Sequence, residues 1–243
     1  MLKVLSRISM VLFLVASPFL LYGFGSKFAI SLSDISIGDP RWLWFIVGSG
    51  TLLPVYLFAN RFLPSVWNYL ATLEHEFAHL LVGLLFLKIP VGLKVTAHRG
   101  GEVRQVGFGN TGETWITLAP YFFPTLSILI VSVAFFLPIP DSYLMAALGF
   151  STFYHIVTNW AETSFRQPDM QRAGWLKCVL ILPLMNVICY GAVFSYVADG
   201  KHGFTSFFRE GSSDSMVAAT NFGAAVLEEI RQVTSAARTA NNP

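Results

Sequence analysis

Charge is the first thing that this chain lacks. Only 12% of its 243 residues are charged, whereas an average soluble domain carries about 25%. The net charge is +2 and no basic block stands out, so the sequence does not favour binding to nucleic acid. Hydrophobic residues make up 54% of the chain. This composition is typical of a membrane protein rather than a soluble domain.

Cysteine is also scarce, with two residues that lie in one apolar run, Cys178 and Cys189. On a helix their separation corresponds to about 16 Å along the axis. A disulfide requires Cα atoms within about 7 Å of each other, so we expect no bond between them. We interpret both as small buried hydrophobic residues rather than metal ligands.

Long apolar runs, in contrast, are abundant, and we predict six transmembrane helices from them. The runs cover approximately residues 8–25, 42–60, 66–88, 115–137, 142–161 and 174–197. Each holds about 20 residues, which is the length that crosses the hydrocarbon core of a bilayer. No clear small-x-small cleavage site follows the first run, so we expect it to remain as a helix rather than be removed as a signal peptide.

The composition changes between the third and fourth runs, where short β-branched alternations replace the apolar pattern. The segments VGLKVTAH and EVRQVGF indicate two strands, and RGG between them indicates a turn. We therefore predict a membrane-associated β-hairpin at about 90–110. The expected fold class is an all-α polytopic membrane protein with this hairpin between its third and fourth helices.

Hydropathy also divides the chain into three expected regions. These are N-terminal transmembrane helices at 1–65, a core with the hairpin at 66–198, and a polar C-terminal tail at 199–243. Four apolar residues of the tail fall on one helical face: Phe222, Val226, Ile230 and Val233. This face is consistent with an amphipathic helix on the membrane surface or on a partner, and a partly ordered tail is the alternative.

The third run begins with HEFAH, which places histidines at positions i and i+4 of a helix. His75 and His79 then share a face and can bind one Zn²⁺. Glu76 is rotated by about 100° from His75, so its carboxylate can act as general base on a water whose pKa zinc lowers toward about 7. This is the H-E-x-x-H pattern of metalloproteases. Uncompensated His and Glu are costly in an apolar run, which favours a functional role over helix-face histidines bonded to their neighbours.

A catalytic zinc takes three protein ligands and leaves one position open, so HEFAH requires a further ligand. His155, Asn159 and Glu162 are spaced i, i+4, i+7 and share one stripe of the fifth helix. Asp169 follows Pro168, where continuation of a helix is disfavoured. A carboxylate at a broken helix is well placed to face an internal cavity. Chemistry alone leaves Asp169, Glu162 and His155 as candidates.

Several motifs occur in a recognisable order over about residues 66–175. HEFAH stands at the head of a transmembrane helix, and a glycine-containing β-hairpin, a proline-bearing helix and a late N…PD motif follow. This arrangement resembles the site-2 protease family of intramembrane zinc metalloproteases. It is most similar to the compact bacterial branch of that family, which lacks a PDZ domain.

The resemblance implies a role for each matching residue. His75 and His79 would bind zinc and Glu76 would be the general base. Asp169, which follows a proline as in the family's second motif, would be the third ligand. Asn159 would help to hold the substrate backbone or the oxyanion, and the hairpin would bind substrate as an added strand.

The expected function is that of a zinc-dependent intramembrane endopeptidase with one Zn²⁺ per chain. It would cleave transmembrane or membrane-proximal segments of membrane proteins. A helical substrate must unwind before water can attack its carbonyls, and a hairpin edge can hold the unwound segment. The resemblance implies a multi-pass protein of the bacterial inner membrane, whose partners are the bilayer and a membrane-protein or peptide substrate.

Two other functions fit the same residues. A non-catalytic membrane scaffold could use a structural zinc site, but such a site is closed by four ligands and needs no base like Glu76. A proton or cation pathway could run along His75, His155 and Glu162, because ionisable residues within membranes often mark such routes.

Overall fold

The structure, a computed structural model, describes residues 2–97, 100–107, 112–164 and 166–240. It is mostly helical, as the composition predicts, with one two-stranded antiparallel sheet. The helices are α1 Leu2–Ser33, α2 Pro40–Phe62, α3 Pro64–Leu85, α4 Glu113–Leu118, α5 Thr125–Phe136, α6 Asp141–Glu162, α7 Pro168–Ala173 and α8 Trp175–Ala240. A 3-10 turn, Ala119–Tyr121, follows α4, and the strands are β1 Ile89–Thr96 and β2 Gly100–Val106.

Three of the described helices are long and apolar enough to cross a membrane. The qualifying segments are Val11–Ser33, Pro40–Phe62 and Trp175–Thr234. A fourth is added if the bent pair that α4 and α5 form with the turn counts as one broken span. The predicted number of six spans is therefore not reached by length and hydropathy. Polar residues interrupt α3 and α6, and these helices fall outside the set although both are helical as predicted.

The fourth predicted span, 115–137, is broken rather than continuous. Its two halves differ in direction by 96°, and α5 starts anew after Pro124, which has no N–H to continue a helical ladder. The carbonyl of Tyr121 at the break accepts hydrogen bonds from Asn159 Nδ2 at 2.8 Å and Asn186 Nδ2 at 3.2 Å. A carbonyl at the end of a helix has no partner within the helix. These two hydrogen bonds supply partners and connect the break to α6 and α8.

Helices α2 and α6 pack closely along their lengths because each offers a glycine to the other. A Cβ at Gly48 would overlap the backbone of Ala146, and a Cβ at Gly149 would overlap the backbone of Phe45. Small residues at such an interface allow two backbones to approach and gain van der Waals contact, as in membrane helix pairs. This packing fixes α6 against the N-terminal part of the chain.

Two polar residues of α6, Ser151 and Thr152, are paired within the bundle. Ser127 of α5 forms hydrogen bonds with Ser151 at 2.8 Å and with Thr152 at 3.0 Å, and all three side chains are buried. Buried hydroxyl groups require such partners. Ser151 and Thr152, which lower the hydropathy of α6, therefore stabilise its contact with α5.

Helix α8 folds back on itself at Asp199 and Gly200, whose backbone angles are not helical. Gly191 and Phe207 lie against each other, although 16 residues of straight helix would separate them by about 24 Å. The two halves of α8 therefore form an antiparallel helical hairpin. Its bend coincides with the fall in hydropathy at residue 199.

Arg41 of α2 closes the end of the first half of α8. Its guanidinium donates to the carbonyls of Val197 and Tyr196, both at 2.8 Å, and lies 3.3 Å from Asp141. The last carbonyls of a helix have no partner within the helix. The arginine thus supplies the bonds that the bend removes.

The second half of α8 packs against α1. Lys27 pairs with Glu210 at 3.1 Å and with Asp214 at 3.2 Å, and Phe24 packs on Phe207 with ring centroids 5.4 Å apart. The region predicted as a polar tail is helical through Ala240. Its predicted apolar face is exposed to the surroundings at all four positions: Phe222, Val226, Ile230 and Val233.

The predicted β-hairpin is confirmed, and it lies on α3. The strands pair antiparallel with Leu93 opposite Val103, and an irregularity in β1 falls between Pro90 and Gly92. Gln105 of β2 donates from Nε2 to the α3 carbonyls of His79 and Leu80, at 3.3 and 3.1 Å. This side chain anchors β2 over the helix that carries HEFAH.

Candidate metal centre

The HEFAH segment lies in the interior of α3, a helix whose first residue is Pro64. Proline is favoured in the first turn because its missing N–H would have no partner there. Within this helix His75 and His79 are one turn apart, with ring centroids separated by 5.0 Å. Both imidazoles therefore project from one face, as the i, i+4 spacing predicts.

Asp169 meets these two histidines from another element. Helix α6 ends at Glu162, and the short helix α7 begins with Pro168, so that Asp169 lies in its first turn. The Oδ2 atom of Asp169 is 3.3 Å from Nε2 of His75 and 3.3 Å from Nε2 of His79. One ligand atom from each of the three residues lies within 4.8 Å of the others.

These separations fit a tetrahedral metal site. Zinc bonds to nitrogen and oxygen are about 2.0–2.1 Å long, and at tetrahedral angles they place neighbouring ligand atoms about 3.3 Å apart. The two distances from Asp169 to the histidines have this value. The group of His75, His79 and Asp169 can therefore hold a metal ion.

The other nitrogen of each imidazole has its own partner. Nδ1 of His75 is 2.8 Å from Oε2 of Glu162, and Nδ1 of His79 is 2.6 Å from the carbonyl oxygen of Ile116. Since a carbonyl or carboxylate oxygen accepts, each Nδ1 donates, and each Nε2 faces Asp169. Partners of this kind fix the tautomer and orientation of histidines that bind metals.

The electrostatics of the cluster also suit a cation. Two Nε2 atoms and a carboxylate converge, so either a proton on an imidazole bonds to the carboxylate or a metal ion takes the place of that proton. Burial alone would raise the pKa of Asp169, but the hydrogen bonds to His75 and His79 outweigh burial and hold this pKa well below its usual range. Asp169 is thus ionised at neutral pH, as a metal ligand must be.

Glu76 lies beside the cluster, on the side of α3 that faces β2. Its side chain is 7% exposed, packs against Gly101 and accepts a hydrogen bond from the backbone N–H of Val103. Glu76 and the three possible ligands line one cleft of about 510 Å³. The walls of this cleft come from α3, β2, α4 and the segment around α7.

The structure separates the residues that the sequence left as candidate ligands. Asp169 joins the two histidines, whereas Glu162 binds the far nitrogen of His75 and lies outside the donor group. His155 is 1% exposed and bonds through Nδ1 to Glu74 at 2.9 Å. It is therefore engaged on another face of α3.

Asn159 is not among the residues that line the cleft in the described part of the chain. Its amide nitrogen donates to the carbonyl of Tyr121, and its Oδ1 accepts from Thr163 at 2.8 Å. In this structure the side chain of Asn159 therefore stabilises the helix break that precedes α5. Its expected contact with substrate stays a prediction that would require these bonds to rearrange.

Two further histidines occur outside the core helices. His202 is exposed and pairs with Asp199 at 2.6 Å, far in sequence from the cluster and at the bend of α8. His98 lies outside the described residues.

Sequence reasoning missed two contacts of this region. The hydrogen bond from His79 to Ile116 involves a backbone carbonyl, which no side-chain pattern reveals. The buried pair of Glu74 and His155 joins α3 to α6 across 81 residues. The available signal was chemical: two ionisable residues, each in an apolar helix, need partners, and each is the other's partner.

No protein-family model, curated protein or solved structure matches this chain.

Proposed function

We propose that this protein is a zinc-dependent intramembrane endopeptidase that cleaves transmembrane or membrane-proximal segments of other membrane proteins. One observation carries the proposal. Oδ2 of Asp169 lies 3.3 Å from Nε2 of both His75 and His79, the separation of neighbouring ligands in a tetrahedral site, and Glu76 lies in the same cleft.

Zinc fits the donor set best. Two neutral imidazoles and one carboxylate are typical ligands of catalytic zinc, which keeps its fourth position open. Zn²⁺ held there supplies Lewis acidity toward a peptide carbonyl and toward water. The contact from Glu162 to His75 raises the basicity of that ligand and fixes the orientation of its ring.

Glu76 has the position of a general base. It lies one residue from His75 on α3 and lines the same cleft, so a water molecule placed near the three ligands is within its reach. The carboxylate accepts a proton from the attacking water and then passes it to the nitrogen of the leaving amine. A site that only binds metal has no use for this carboxylate.

The outer edge of β2 is the surface that would hold the substrate. The N–H of Val103 points to Glu76 and away from β1, so Leu93 and Val103 form a non-hydrogen-bonded pair. By alternation, Gly101 and Gln105 also present their backbone groups on this edge, which borders the cleft. An unwound substrate segment can bind there as an added strand.

We also propose that α3 and α6 lie within the bilayer, which gives six membrane-embedded helical segments in a multi-pass inner-membrane protein. Support comes from the pairing of their polar residues. Ser151 and Thr152 bond to α5, and Glu74 pairs with His155 between the two helices. Polar groups that are paired inside a bundle can be accommodated within a membrane.

A cleavage assay tests the proposed function. The protein is reconstituted in liposomes with a single-span model substrate, and the zinc content of each variant is measured by elemental analysis. We expect Glu76→Gln to retain zinc and to lose cleavage, because its amide cannot accept the proton. Glu228→Gln, an exposed position on α8, serves as the control and retains both properties. Undiminished cleavage by a folded, zinc-loaded Glu76→Gln protein would refute the proposal.

A further inference from the structure

Two adjacent glycines begin β2, and a different structural feature explains each of them. Gly100 has a φ of +75°, a left-handed conformation that favours glycine in the turn. Gly101 has no such angle, so its backbone does not require glycine. What it lacks is room for a side chain, because a Cβ at this position would overlap Cγ of Glu76 and lie 2.7 Å from both Cδ and Oε1.

We infer that Gly101 is a positioning residue for the proposed base, and that the Glu76 carboxylate occupies the space that a side chain at position 101 would fill. This inference rests on the proposed function and deepens it. Because Gly101 has no side chain, Glu76 can approach the edge of β2, where its carboxylate accepts a hydrogen bond from the backbone N–H of Val103. Strand β2 therefore serves the catalytic site as well as the substrate.

A side chain at position 101 should displace the Glu76 carboxylate rather than disrupt the fold. The atoms that a methyl group at Gly101 would meet are Cγ, Cδ and Oε1 of the flexible Glu76 side chain, and none belongs to backbone. Glu76 can rotate away, and its carboxylate then leaves the amide of Val103. The ligands His75 and His79 are not touched by this change.

The first test is Gly101→Ala in the liposome assay. We expect kcat to fall by about 100-fold, the effect of a displacement of about 1 Å in a catalytic group, while KM changes little and zinc content stays the same. Gly92→Ala is the matched control in β1. A Cβ at that position would lie 3.5 Å from Arg104, an ordinary contact, so this variant should keep the kcat of the unmodified protein.

A double-variant cycle separates positioning from a general effect on the hairpin. Glu76→Ala removes Cγ, Cδ and Oε1, the three atoms that a methyl group at Gly101 would meet. We therefore expect the fall in the midpoint of thermal unfolding that Gly101→Ala causes to disappear largely in the Glu76→Ala background, a strong non-additivity between contacting residues. A merely structural role of Gly101 would produce the same fall in both backgrounds.

The possible failures are distinguishable. If the unmodified protein does not cleave the substrate, or cleaves it independently of Glu76, the proposed function fails. If it cleaves in a Glu76-dependent way and Gly101→Ala keeps its kcat, the inference about Gly101 is wrong. It is equally wrong if Gly101→Ala lowers the midpoint of thermal unfolding by the same amount in the Glu76→Ala background.

Discussion

At the scale of single residues, the two nitrogens of each imidazole decide which neighbour is a ligand and which is a support. Nε2 of His75 faces Asp169, and Nδ1 of the same ring faces Glu162. Both acidic residues contact one histidine, yet only Asp169 also reaches His79. Contact with His75 alone would not distinguish the two carboxylates, whereas convergence on both rings does.

This geometry predicts different effects on metal content. Asp169→Ala removes a donor atom and should lose most of the zinc after dialysis. Glu162→Ala leaves the three donors in place and should weaken affinity by about 10- to 100-fold, as removal of a partner behind a ligand does. Competition with a chromogenic chelator measures both affinities. The reverse order of the two affinities would contradict the assignment of Asp169 as a ligand.

The pair of Glu74 and His155 makes a prediction about stability rather than about metal. Both side chains are buried, and removal of one partner leaves the other unpaired. We expect Glu74→Leu to lower the free energy of unfolding by about 3–5 kcal/mol, measured by denaturation in detergent micelles. The double variant Glu74→Leu with His155→Leu should recover most of this loss. A double variant that is less stable than Glu74→Leu alone would show that the pair is not the cause.

The sequence predicts this site unevenly, for physical reasons. His75 and His79 could be placed together because their spacing within one helix is a local property. Asp169 was one of three candidates, since Pro168 indicates a helix break but not the direction in which the side chain of the next residue points. The partner of Glu74 could not be predicted, because it depends on how α6 docks against α3.

At the scale of helices and strands, apolar runs predict where helices form but not where they bend. All six runs are helical, and 115–137 is divided at Pro124. The proline was visible in the sequence, whereas the 96° change in direction depends on the amides of Asn159 and Asn186 that satisfy the break. The hairpin was more accessible, because glycine and alternation are local signals.

The bend of α8 gives a prediction at this scale. Gly200 has φ 58° and ψ −140°, a region that is essentially restricted to glycine. Gly200→Ala should destabilise the protein by about 1–3 kcal/mol, seen as a lower midpoint of thermal unfolding in micelles. Gly50→Ala is the control, since its Cβ would meet open space inside α2 and should not destabilise. An unchanged midpoint in Gly200→Ala would contradict the strained bend.

At the scale of the whole molecule, the C-terminal region belongs to the folded bundle. Hydropathy separates residues 199–243 from the core, yet the second half of α8 returns along α1 and pairs with Lys27. Its aromatic contacts extend to Phe222, which lies 5.6 Å from Phe19 between ring centroids. Low hydropathy in this region therefore reflects an ion-paired helix contact as well as its exposed end.

Two truncations test this view. Truncation after Ala198 removes the partners of Lys27 and exposes Phe24, so the yield of monodisperse protein should fall at least about tenfold, in line with the loss of several kcal/mol of packing. Truncation after Gly223 keeps these contacts and should give nearly full yield. Size-exclusion chromatography in detergent measures both, and equal yields would contradict the packing role of this region.

The proposed function requires the cleft to hydrolyse peptide bonds with water activated beside His75, His79 and Asp169, and with Glu76 as the base. The most direct measurement is mass spectrometry of the products formed in liposomes in water labelled with oxygen-18. We expect the new carboxyl terminus of the substrate to carry the label, and we expect neither labelled product nor cleavage with zinc-loaded Glu76→Gln protein. Intact substrate with the unmodified zinc-loaded protein, or equal labelling by both proteins, would contradict the proposed function.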